Sequence, residues 1–209
     1  HMGDLHYADI AVDSHAAYAQ AYARALSAPA QRRLYGSTPV AYMWDDHDFG
    51  PNNSDRENPR RDAALRAYAQ FVPAYPWGAA DGDIQAAGVH QAWTIAGVRF
   101  LLTDLRSQRD PNLSPGLHPD ASATGARRCK TVLGKLQLKW LSGELLNAGR
   151  SGSGVDLVVW VSTFPWLDDL EKWQFFEFER YLIAGIIEVA NLTDRMVIVS
   201  GDAHMLAAD

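Results

Sequence analysis

The sequence predicts an α/β fold layered around a mixed sheet, and three observations carry that expectation. Short apolar runs alternate with longer amphipathic segments, as strands and helices do in a layered α/β domain. One pair of runs, 91–96 and 98–103, is split only by Gly97 and reads as an antiparallel hairpin within that alternation. A third run, 155–161, is apolar at nearly every position, as a strand covered on both faces requires.

The elements follow in order. Ser14 caps an alanine-rich helix that runs to about Ser27, with Tyr18, Tyr22 and Leu26 on one face. Pro39 to Trp44 is short, apolar and aromatic, and reads as a buried strand. Pro59 to Phe71 reads as a helix that stops before Pro73, and a loop rich in Gly, Ala and Asp follows over 78–88. After the hairpin, residues 107–131 read as a long surface excursion suited to shaping a pocket. Leu133 to Leu146 is amphipathic, with Leu136, Trp140, Leu141 and Leu145 near one face. Arg150 to Gly154 is a turn, Trp173 to Ala190 a long helix, and Arg195 to Ser200 the last strand. No repeat or internal boundary stands out, so residues 1–209 read as one domain.

Composition narrows the function classes. With 47% hydrophobic residues the chain can bury a sizeable core, which argues against disorder. A net charge of −6 argues against a general nucleic-acid binder but not against a phosphorylated substrate, because bound cations add local positive charge. Cys129 is the single cysteine, which rules out an internal disulfide and a zinc–cysteine cluster. No apolar run approaches the roughly 20 residues of a membrane span. A motif begins at Gly3-Asp4 and another ends just before Ala208-Asp209, so the chain is expected to be cut from a longer protein at both ends. The oligomeric state has no signature.

Polar clusters fall immediately after the expected strands: Asp45-Asp46-His47-Asp48, Asp104-Leu105-Arg106-Ser107, Ser162-Thr163-Phe164-Pro165-Trp166, and Ser200-Gly201-Asp202-Ala203-His204. In α/β sheets ligands bind at the carboxyl ends of strands, where loops converge. Carboxylates as close as Asp45, Asp46 and Asp48 repel one another, and a cation is the natural counter-charge. Asp202 and His204, two residues apart in an extended segment, can face the same side. Gly3-Asp4-Leu5-His6-Tyr7 adds a carboxylate and a phenol, and a phenolate ligand calls for a strong Lewis acid such as ferric iron. Arg106 is a bidentate donor suited to phosphate, while Arg109 is expected to pair with Asp104 or Asp110. His15, His90 and His118 are read as surface or packing residues, and the Trp and Tyr side chains mainly as core. There is no Gly-x-Ser-x-Gly elbow and no P-loop, which disfavours a serine hydrolase and a P-loop nucleotidase.

Taken together, these motifs resemble the PhoD-like alkaline phosphatase and phosphodiesterase family of the calcineurin-like metallophosphoesterases. The resemblance is carried in order by Gly3 to Tyr7, Trp44 to Gly50 with Asn52-Asn53, Asp104 to Ser107, Leu133-Gly134 with Gln137 and Trp140-Leu141, Trp173 with Glu179-Arg180, and Ser200 to His204. It implies a four-layer αββα sandwich with a dinuclear metal centre: iron and calcium, with manganese, magnesium or zinc as alternatives. By resemblance Asp4 bridges the metals, and Tyr7, Asp46, Asp202 and His204 are ligands. Asn52 or Asn53 supplies an amide, His47 matches the catalytic histidine, and Arg106 holds a substrate oxygen. The implied activity is metal-assisted hydrolysis of a small phosphate ester, mono- or diester, in an exported protein. The superfamily's first motif is expected upstream of residue 1 and a further segment after Asp209. The competing expectation is a domain of the same fold that binds metal or phosphate without turnover.

Overall fold

The structure is a computed structural model that describes residues 1–73, 88–112, 117–118, 128–167 and 172–204. Its centre is a four-stranded mixed sheet in the order β1-β2-β5-β6. Strands β1 (Gln91–Ile95) and β2 (Val98–Leu102) form the expected antiparallel hairpin. Ala96 and Gly97 both take positive φ at its tip (47° and 82°), as a tight hairpin turn needs. Strands β5 (Leu157–Ser162) and β6 (Met196–Ser200) add in parallel, so β2, β5 and β6 end at the same edge. A two-residue pairing, β3 (Leu117–His118) with β4 (Arg128–Cys129), lies within the expected 107–131 excursion. The rest of that excursion, and most of the expected 78–88 loop, lie outside the described residues.

Alternation along the strands places a hydrophobic core on each face of the sheet. On one face Leu102, Trp93 and Val161 meet α1 (His15–Ser27), α4 (Arg61–Phe71) and the 42–49 segment, through Tyr18, Tyr22, Tyr42, Trp44, Phe49 and Tyr68. The aromatic hydroxyls tie this layer together: Tyr18 donates to the Phe49 carbonyl (3.1 Å) and Tyr68 to the Tyr42 carbonyl (2.8 Å). On the other face Leu101, Val158 and Trp160 meet α5 (Gly134–Gly149) and α6 (Glu177–Val189). Leu141 and Leu145 of α5 are fully buried there. Truncating either to alanine would cost about 2–5 kcal/mol.

Several expectations shift. Residues 39–44 do not form a strand with a ladder: Met43 makes an isolated parallel bridge to Met2, although Tyr42, Met43 and Trp44 are buried as expected. Hydrophobicity gave the burial, but a strand also needs a run of backbone partners. Helix α2 (Pro29–Ser37) was not anticipated, because it buries no residue and has no apolar stripe; Pro29 at its first turn was its one signal. Leu136, assigned to the apolar face of α5, is 55% exposed, and Gln137 is buried in its place. The long helix expected from Trp173 starts as a 3₁₀ turn (Trp173–Phe176) before α6.

Candidate metal centre

The acidic segment folds as a single helical turn, α3 (Asp46–Phe49), with Asp45 as its N-cap. This sorts the three carboxylates by role. Asp48 faces backbone: it accepts from the amides of Asp4 (2.6 Å), Leu5 (2.9 Å), His6 (3.4 Å) and Asp45 (3.0 Å). Asp48 therefore fastens the 4–6 turn onto α3, a structural use of the most deeply bonded acid in the cluster. Burial pushes its carboxyl up to about 7, against the pull of these amides. Gly3, with φ of 91°, lets the turn approach Asp45 so closely that a Cβ there would collide with the Asp45 side chain. His6 packs edge-on against Tyr22 at 5.0 Å, and burial pushes its imidazole down to about 4.

Arg106 arrives from the loop after β2. Asp104 shapes that loop, accepting from Trp44 Nε1 (2.8 Å), the amides of Val89 (3.1 Å), Arg106 (3.0 Å) and Ser107 (3.0 Å), and the Ser107 hydroxyl (2.5 Å). Gln137 of α5 clamps the Asp104 backbone from both sides, accepting from its N–H and donating to its C=O, each at 2.8 Å. The Arg106 guanidinium is fully buried, and its Nε donates to Asp45 Oδ1 at 2.5 Å. Its Nη2 lies 3.4 Å from Asp46 and 3.5 Å from Asp202. Thr163, after β5, donates to the same Asp45 oxygen at 2.9 Å.

Around this guanidinium two sets of donor atoms gather, each within 4.8 Å: Asp4, Asp46 and His47, and Asp4, Asp45, Asp46 and Asp202. Asp4 and Asp46 belong to both. Asp4 Oδ1, Asp45 Oδ2 and Asp46 Oδ1 are buried with no hydrogen-bond partner among the described residues. Burial and the neighbouring Asp45 and Asp46 raise the Asp4 carboxyl. Burial also acts to raise Asp46, but Arg106, the Asn53 amide and His47 outweigh it and hold that carboxyl low.

At the outer rim Tyr7 donates its hydroxyl to Asp4 Oδ2 (3.0 Å) and lies 3.1 Å from His204 Nε2, with its ring 4.3 Å from that of His47. Burial and the Asp4 hydrogen bond push its phenol up to about 12. His47 Nδ1 is held by Asp9 at 2.7 Å.

Of the residues expected at a site, Asp4, Asp46, His47 and Asp202 come together, Arg106 joins them, and Tyr7 and His204 meet at the edge. Asn52 is exposed and gives its backbone N–H to Asp9 (3.2 Å), and Asn53 gives its own to Asp46 (2.6 Å). Arg109 is buried against the rings of Phe164 and Phe176 and donates to Asn112 at 2.8 Å; Asp110 pairs with Arg56. His90 packs on Trp140 at 4.2 Å, as expected of a packing residue. Sequence reasoning missed Asp9, Thr163 and Lys172. Thr163 had a signal, since it opens a polar cluster after a strand. Asp9 and Lys172 had none, being ordinary charges in polar stretches. A large cavity of about 1230 Å³ lies away from this cluster, between Tyr22, Tyr42 and Phe71 on one side and Trp93 and Phe100 on the other. Its lining is mostly apolar and holds none of the clustered carboxylates.

A mixed sheet whose parallel strand ends bring Arg106, Thr163 and Asp202 to the carboxylates of Asp4, Asp45 and Asp46 defines an α/β protein with an acidic centre that could hold a metal ion. The PhoD-like phosphatase family model matches residues 4–209, and the chain belongs to that family. The solved structure of PhoD is similar in fold, with a TM-score of 0.75 at 21% identity, over 98% of this chain and 45% of that one. This chain thus spans less than half the length of that structure. No curated protein matches it.

Proposed function

We propose that this chain forms the core of a metal-dependent phosphoesterase acting on small phosphate esters, diesters or monoesters. The observation that carries the reading is the set of buried oxygens without a hydrogen bond on Asp4, Asp45 and Asp46, in two donor sets that share Asp4 and Asp46. Buried carboxylate oxygens without donors are costly, and a hard cation satisfies them. Asp4, Asp45, Asp46, Asp202 and His204 would hold the cations. Tyr7 suits ferric iron, because a phenolate ligand calls for a strong Lewis acid; calcium fits the all-oxygen set.

Bound there, the cations would supply an activated water and positive charge for the phosphoryl oxygens. The protein does the rest. Arg106, fixed by Asp45, keeps Nη1 without a hydrogen bond among the described residues, and this is its donor for a substrate oxygen. His47, its Nδ1 held by Asp9, has Nε2 left to protonate the leaving oxygen or stabilise the transferring group. The αββα sandwich implied by the family resemblance belongs to the same reading. Family resemblance further leads us to place the whole protein outside the cytoplasm.

Elemental analysis with a visible spectrum, followed by assay on bis(p-nitrophenyl) phosphate and p-nitrophenyl phosphate, tests the proposal. Stoichiometric metal and turnover that Asp46→Asn abolishes are expected. A metal-loaded protein inert on both esters would instead favour the reading of a binding domain without turnover.

A further inference from the structure

Asp202 carries two cations at once. Its Oδ1 lies 3.5 Å from Arg106 Nη2, and its Oδ2 accepts from Lys172 Nζ. Yet Asp202 is also one of the four carboxylates whose oxygens converge within 4.8 Å. A metal taking Asp202 would compete with both resident cations for its charge, and the less firmly anchored one would be the one to yield. Arg106 is anchored independently, being fully buried and bonded to Asp45. Lys172 hydrogen-bonds Asp202 alone in the geometry described, and its side chain is 16% exposed, at the rim rather than sealed beneath it. Its backbone is fixed by the next residue: Trp173 is fully buried, and its indole donates to Ser162 Oγ at the end of β5 (3.0 Å). An anchored Cα with a four-carbon flexible stem and a mobile ammonium makes Lys172 the group that gives way.

We propose that Lys172 is a substrate-contacting residue, held by Asp202 and transferred to a phosphoryl oxygen when a cation takes that carboxylate. The inference rests on the phosphoesterase reading above. It couples the two ligands in one direction: metal binding frees the ammonium, and the freed ammonium strengthens anion binding.

Calorimetric titration of the full chain tests this, with Mn²⁺ as the metal probe and inorganic phosphate as the anion, on the wild type, Lys172→Met and Lys172→Arg. Thermal melts establish that each variant is folded. Lys172→Met should bind Mn²⁺ at least as tightly as the wild type, because a rival cation is gone. In saturating Mn²⁺ it should bind phosphate about tenfold more weakly, the loss expected for one charge-assisted hydrogen bond. Lys172→Arg should recover most of that loss. Unchanged phosphate affinity in Mn²⁺-loaded Lys172→Met would overturn this inference alone. So would a folded Lys172→Met that no longer binds Mn²⁺, since Lys172 would then serve to hold Asp202 for the metal. Failure of the wild type itself to take up Mn²⁺ would overturn both this inference and the phosphoesterase reading.

Discussion

Trp44 Nε1 donates to Asp104 Oδ1 at 2.8 Å, both residues being fully buried. This bond joins the residue that leads into the acidic turn to the one that shapes the Arg106 loop, 60 positions apart in sequence. Asp104→Ala would leave the indole N–H and three backbone amides without their acceptor. Unpaired buried donors each cost about 1–3 kcal/mol, so a loss of at least about 3 kcal/mol is expected in urea denaturation.

Glu179 tests the reading of a buried acid far from the metal centre. It accepts from the Val132 and Leu133 amides, each at 3.0 Å, and burial pushes its carboxyl up to about 7. A carboxyl raised on folding binds more protons in the native state between its ordinary value and about 7. Its contribution to stability is therefore full at low pH and falls as pH rises through that window. Glu179→Gln should flatten this part of the profile, by on the order of 3 kcal/mol between pH 4 and 8. Denaturation across that range measures it; an unchanged slope would contradict the raised carboxyl.

The pair of His47 and Asp9 separates chemistry from orientation. Removing a proton-transferring side chain costs about 10²–10⁴-fold in rate. His47→Ala should therefore lower kcat on a phosphodiester by that order, with KM little changed. Asp9→Asn keeps the ring and loses only its charged partner, so a smaller fall is expected, about tenfold. Equal kcat in His47→Ala and the wild type, both metal-loaded, would remove His47 from the mechanism.

Chelation should lower the melting temperature and abolish hydrolysis together, because a ligand present at 100 times its Kd stabilises the folded state by about 2.7 kcal/mol. Asp4 is in both donor sets and Asp202 in one, so Asp4→Asn should lower metal content more than Asp202→Asn does. Metal-to-protein ratios of the purified variants distinguish the two patterns.

The sequence determined what local patterns can encode. Period-3.6 apolar stripes located α1, α4 and α5, Gly97 marked the hairpin, and continuous apolar runs marked β5 and β6. Chemistry-bearing residues after expected strands singled out Asp46, Arg106 and Asp202, which the fold brings together, although residues 39–44 ahead of Asp46 form no ladder. Such patterns span a few residues, where spacing and propensity act directly. Only the tertiary structure decided the rest, because burial and hydrogen bonding depend on partners far along the chain. It separated Asp48, bonded to four backbone amides, from Asp45 and Asp46, which carry unpartnered oxygens, although the three acids read alike in sequence. It denied residues 39–44 a ladder, left Asn52 facing solvent, and turned an unremarked lysine, Lys172, onto Asp202. A carboxylate's role is set by which donors reach it in space, and that information exists only once strands β2, β5 and β6 bring their ends to one edge.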